Sequence, residues 1–165
     1  MRSALAIQPE YAEAHFMLGT ALKQKGDLDA AEKSLREATR LAPSDPGPYN
    51  TLGQVLRAKG DTRAAITNFR QAAELQDALP YTEPPYWYYP IRQSLGAALL
   101  QAGRYADARQ QFELALRRAP SNGWSYYGLA ELHKARGDKF SARKAEADLA
   151  KTWIGDRKLL QISNL

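Results

Sequence analysis

The chain has 165 residues, 44% hydrophobic and 25% charged, with a formal charge of +5, two histidines and no cysteine. This is the composition of a globular, core-forming chain, and no apolar run approaches the roughly 20 residues that a membrane-spanning helix needs. The lack of cysteine excludes disulfides and thiolate chemistry and leaves the cellular compartment open.

In chain order, Met1, Arg2 and Ser3 are followed by no apolar signal core, while Ala4 and Pro9 sit 34 residues before Ala38 and Pro43. Residues 1–9 therefore read as a short helix ending an earlier, truncated unit, so that the parent protein extends further. The first full unit follows. His15, Leu18, Gly19 and Leu22 recur at three- and four-residue steps, the spacing of one stripe on a helix spanning roughly residues 11–24. Gly26 ends that helix, Asp27 starts the next, Ala31, Leu35 and Ala38 form a second stripe, and Pro43 closes the hairpin.

The pattern then recurs. Gly26, Gly60, Gly103 and Gly137 are spaced 34, 43 and 34 residues apart, a fixed period with nine extra residues between the second and third copies. Such a period marks a stacked array of helical hairpins. The units fall at 12–45, 46–79, 89–122 and 123–154, with an insertion at 80–88. Tyr49, Leu52, Gly53, Leu56, Ala65, Phe69 and Ala72 carry the pattern in the second, and Leu95, Gly96, Leu99, Ala108, Phe112, Ala115 and Pro120 in the third. The fourth has Tyr126, Leu129, Ala130, His133, Ala142 and Leu149.

The insertion lies in DALPYTEPPYWYYP, where prolines fix the backbone and tyrosines surround Trp87. It reads as an ordered loop covering a widened junction, or as a secondary contact through Tyr86, Trp87 and Tyr88. Residues 155–165 read as a cap in which Gly155 ends the last helix and Leu159 and Leu160 fold back, or else as a tail. The positive charge is uneven. Residues 1–79 carry ten basic and ten acidic side chains, and residues 80–165 carry thirteen and eight. Because Arg109, Arg117, Arg118, Arg143 and Lys144 fall on second helices, a solvated outer face competes with an acidic or nucleic-acid partner.

Across residues 12–154, apart from the insertion, the pattern resembles the tetratricopeptide repeat: a small residue at position 8, glycine near 15, alanines at 20 and 27, leucine or an aromatic at 24 and proline at 32. Asp77, Glu146 and Ile154 depart from it. The resemblance implies an all-α fold, a right-handed superhelix of four helix-turn-helix repeats with an N-terminal half-repeat and a C-terminal cap, within a larger bacterial protein. The insertion also resembles a segment near the C-terminal repeats of some bacterial members.

No chemistry competes with this reading. His15 and His133 sit on core stripes, 118 residues apart, with no ligand cluster, no nucleophile constellation and no phosphate-cradling loop, so neither metal, cofactor nor enzymatic activity is expected. What remains is a surface. Positions 2, 5, 9 and 12 of each first helix share a stripe away from the buried one, and in the resembled family that stripe lines the concave groove. It gives Glu13, Phe16, Thr20 and Lys23, then Gly47, Asn50, Gln54 and Arg57. The third unit gives Pro90, Gln93, Ala97 and Leu100, and the fourth Trp124, Tyr127, Glu131 and Lys134. Lys23, Arg57 and Lys134 form either a ladder of cations for an acidic peptide or simply good exposed helix formers. Asn50, Gln54 and Gln93 suit a peptide backbone, with Phe16, Trp124 and Tyr127 as apolar anchors.

The family's two-carboxylate clamp begins with lysine and asparagine where this chain has Phe16 and Thr20. The expected function is thus a non-catalytic module holding a protein or peptide, not a chaperone tail. Self-assembly through terminal faces is the alternative, and nucleic-acid or acidic-surface binding by the basic half ranks third.

Overall fold

The computed structural model describes residues 2–79 and 91–162, with side chains from Tyr11 onward. Tyr86, Trp87, Tyr88, Pro90 and the insertion at 80–88 lie outside the described residues. Eight α-helices are described: α1 Arg2–Lys25, α2 Leu28–Leu41, α3 Pro46–Ala58, α4 Thr62–Ala78, α5 Ile91–Gln101, α6 Tyr105–Arg118, α7 Gly123–Ala135 and α8 Lys139–Thr152, followed by a 3-10 turn at Arg157–Leu159. Among the described residues there is no strand. Two compact units divide between residues 85 and 86. The first holds α1 to α4 and the second α5 to α8.

Each hairpin turn has the same local cause. Gly26, Gly60, Gly103 and Gly137 adopt φ of 84°, 85°, 71° and 72°, the left-handed region that a side chain disfavours. An aspartate then caps the second helix in three of the four hairpins. Asp27, Asp61 and Asp138 accept from the backbone N–H of Ala30, Ala64 and Ser141 at 3.1, 3.0 and 3.0 Å. The third hairpin has Arg104 instead, with no side-chain cap. Arg104 pairs with Asp107, so the uncharged cap of Arg104→Asn is expected to stabilise α6 by about 0.5 kcal/mol, read as a higher midpoint in denaturant.

In the first three hairpins the core is built from one large side chain lying against a residue without a Cβ. Leu35, Phe69 and Phe112 are fully buried. A Cβ added to Gly19, Gly53 or Gly96 would come within 2.6 Å of Leu35, 2.8 Å of Phe69 or 2.7 Å of Phe112. Helices of a pair can approach this closely only where the side chain is missing. Phe112 also lies over Gly128 of α7, so one ring fills the space between two hairpins.

Three details differ from the sequence reading. The short helix expected before Pro9 and the helix expected from residue 11 are one continuous α1, with Pro9 inside it. A proline removes one hydrogen bond and bends a helix, and no glycine here offers an alternative conformation. Leu18, assigned to a core stripe, is 51% exposed, whereas its counterparts Leu52 and Leu95 are 2% exposed. Leu52 belongs to α3, which packs on the preceding hairpin, and among the described residues no hairpin precedes α1. Finally, α8 ends at Thr152 with Trp153 as its C-cap, so Gly155 does not end it. Leu160 does fold back to line a cavity with α7 and α8, while Leu159 stays 55% exposed.

In the first unit Lys59 ties its hairpin to the preceding one, donating to Asp29 and Glu32 at 2.6 Å each. The hydrogen bonds from Lys59, then Arg36, hold the Glu32 carboxyl below its usual 4.5, and those to Asp29 and Glu32 raise Lys59 above 10.5. A depressed carboxylate contributes stability above its unfolded pKa and loses it as pH falls, and a raised lysine loses its contribution as pH rises through the folded value. The clamp is therefore complete between 4.5 and 10.5 and weakens outside that window. Lys59→Met is expected to flatten the pH dependence of first-unit stability, monitored by chemical denaturation. At the equivalent places the second unit has Arg136, Ala106 and Arg109, which cannot make this bridge.

Candidate partner-binding surface

The first unit gathers most of its expected residues on neighbouring helices. Phe16, Thr20 and Lys23 stand on successive turns of α1, and Asn50, Gln54 and Arg57 on successive turns of α3. A Cβ on Gly47 would meet the Phe16 ring at 3.4 Å, so this ring packs over the first turn of α3 and remains half-buried. The Thr20 hydroxyl donates to the Phe16 carbonyl at 2.9 Å, which leaves it as an acceptor. Glu13 is exposed at the edge of the stripe.

The two cations differ in setting. Lys23 is half-buried and donates to the Gln54 amide oxygen at 2.5 Å. Its pKa is lowered, first by burial and then by the positive charge of Arg57. Arg57 in turn stacks over Phe69, 5.8 Å from the ring centroid, so the core ring beneath α3 helps to fix the guanidinium. Beside them the Asn50 side-chain oxygen is buried and accepts no hydrogen bond. A buried acceptor without a donor is uncommon in folded proteins.

The second unit uses its expected residues differently. Gln93, expected to face a peptide, is 1% exposed and accepts from the Asn122 side-chain amide at 2.7 Å, joining the third hairpin to the fourth. Ala97 is buried outright, while Leu100 is half-buried. Trp124 packs edge to face on Trp153, with centroids 4.9 Å apart. Lys134 lies 2.9 Å from Glu131 and 2.8 Å from Glu146, and these hydrogen bonds, that to Glu146 foremost, raise its pKa. Tyr127 is half-buried and its pKa is raised by burial, then by Glu131. Tyr127, Lys134, Glu146 and Leu149 line a cavity of about 390 Å³, closed on one side by Arg157 and Leu160.

Sequence reasoning missed three of these contacts. Glu146 replaces the large apolar residue of the other hairpins, and that exchange was the available signal for a charge partner nearby. The pairing of Trp124 with Trp153 had no such signal, nor did the entry of Arg157. Among the described residues no three histidine, cysteine, aspartate or glutamate side chains gather as metal ligands, and no helix is long and apolar enough to cross a membrane.

Comparison with known proteins agrees with this architecture. Profiles of the tetratricopeptide repeat match residues 12–45, 47–78 and 90–132. No curated protein sequence matches. Among solved structures, the chain is similar to MamA, with a TM-score of 0.76 and 19% identity over 92% of this chain and 83% of that one. It is also similar to the Cut9–Hcn1 assembly of the APC/C, with a TM-score of 0.77 and 20% identity over 92% of this chain and 29% of that one. The tetratricopeptide domain of OM64 from Arabidopsis aligns with a TM-score of 0.62 and 18% identity over 87% and 98% of the two chains. At these identities the likeness establishes the fold.

Proposed function

The chain belongs to the tetratricopeptide-repeat family, and from that premise we propose that its first unit binds an acidic segment of a protein partner along the face shared by α1 and α3. The family is generally non-catalytic and serves protein interaction or scaffolding. The observation that carries the finer reading is the half-buried Lys23, whose charged form is penalised first by burial and then by the positive charge of Arg57. A carboxylate beside Lys23 offsets both costs, and Phe16 offers an apolar edge. Gln93 belongs to the stack, and Lys134, already answered by two carboxylates, contributes less than its position suggests.

Selecting random peptides on the intact chain tests this. Enrichment in aspartate and glutamate is expected, with affinity lowered at least about thirtyfold by Lys23→Ala/Arg57→Ala while the circular dichroism stays the same. Selected peptides without acidic bias, or equal affinity for the variant, overturn the reading. Because a bound carboxylate restores the pKa of Lys23, affinity falls as pH rises through the lowered value of the free protein.

One observation favours a second reading, self-association through a terminal face: Tyr11 and Leu18 on α1 are 59% and 51% exposed. Light scattering over a wide concentration range decides it. A monomer throughout removes it.

A further inference from the structure

The outer side of α8 carries an aromatic residue that no packing explains. Phe140 is 82% exposed. The corresponding positions of the other three hairpins are Asp29, Arg63 and Ala106, all polar or small. Ala142, Ala145 and Leu149 are the buried residues of α8, and at 100° per residue they lie opposite Phe140. The outward side is therefore Phe140, Arg143, Lys144, Ala147 and Lys151, with Lys139 at one border.

The charges on this side are not balanced. Each carboxylate of the helix and its cap is engaged by a group of the protein itself: Asp138 by the Ser141 N–H, Glu146 by Lys134 and Asp148 by Lys151. The Ser141 hydrogen bonds foremost, with smaller contributions from His133 and Arg136, hold the Asp138 carboxyl below its usual range. Lys139, Arg143 and Lys144 have no ion pair among the described residues. Lys144 also borders the groove between α6 and α8, which contains both signs, with Arg109 held by Glu113 at 2.8 Å. The cationic excess thus belongs to the outward ridge.

We propose that the outer face of α8 docks on an anionic phospholipid surface, with Lys139, Arg143 and Lys144 among the headgroups and the Phe140 ring below them. Cations alone fit any polyanion. An exposed phenyl ring asks for an apolar phase directly behind the anionic layer, which a bilayer supplies and an acidic peptide or a nucleic-acid backbone does not. Single-stranded nucleic acid is gripped by successive aromatic platforms, and this ridge has one ring. Phe140, 82% exposed, does not line the groove between α6 and α8 in which an extended peptide would lie, whereas a membrane needs only access to the ring. Docking of this kind is peripheral, by one helix face.

The test is co-sedimentation of the full chain with vesicles of equal parts phosphatidylserine and phosphatidylcholine, compared with phosphatidylcholine alone. Binding to the anionic vesicles only, weakened by added salt, is expected. Arg143→Gln/Lys144→Gln should reduce it about twenty-five-fold, at about fivefold for each cation removed, and Phe140→Ala should reduce it several-fold at unchanged charge. All three side chains are exposed, so the variants are expected to keep the circular dichroism and melting of the parent. Equal binding to both vesicle types, or variants that bind as the parent does, overturns the proposal. Capture of oligo-thymidine or polyglutamate that is lost in Phe140→Ala, without vesicle binding, also overturns it and assigns the ridge to nucleic acid or to an acidic protein.

Discussion

Phe69→Ala is expected to destabilise the first unit by about 3–5 kcal/mol, the range for emptying a fully buried aromatic site. Folded domains are stable by only about 5–15 kcal/mol, so the variant loses a large share of its margin. The ring is fully buried, and Gly53 opposite it has no side chain with which to fill the space. Phe69 also supports Arg57 from below at 5.8 Å, so the loss reaches the proposed binding face. Phe69→Leu separates the two effects: it retains most of the buried volume, so stability falls modestly, while the stacking under the guanidinium disappears. Denaturant melts of both variants, beside their affinity for a selected acidic peptide, check the pair of expectations. If Phe69→Leu binds as the parent does, Arg57 needs no support from the ring.

Gly128→Ala is expected to lower the stability of the second unit by about 1–3 kcal/mol, although alanine is the better helix former. An added Cβ would enter the Phe112 ring, the tightest approach at any glycine of the chain. Phe112 cannot retreat, because its other side lies against Gly96, where a Cβ would stand 2.7 Å away. The cause is thus a specific pair, and a double-mutant cycle isolates it. In a Phe112→Leu background the same glycine substitution should become nearly neutral. An undiminished cost there would place the strain elsewhere in α7.

The two predictions differ in how far the sequence foretells them. Phe69 and Gly53 occupy fixed positions of the 34-residue period, so their meeting follows from the repeat alone. Gly128 falls two residues before the expected small position, Ala130, and nothing in the period marks it. The same division runs through the binding face. Periodicity places Lys23 and Arg57 on one side of adjacent helices, which the structure reproduces. It cannot say that Asn122 reaches Gln93, or that Glu146 reaches Lys134, because those contacts depend on side chains reaching between helices. Leu18 shows the same limit from the core side: a 3.6-residue stripe identifies a face but not whether anything covers it. Pro9 shows the limit of local rules, since a residue read as a stop sign lies within a continuous helix.

The Lys59 clamp makes the junction of the first two hairpins sensitive to ionic strength. Its partners are exposed or near the surface, where mobile ions screen attraction over about 10 Å at 0.1 M salt. Added salt therefore loosens the junction of the first two hairpins, with no matching loss where Arg136, Ala106 and Arg109 stand in the second unit. The medium, as well as the chain, therefore sets how readily the second hairpin parts from the first.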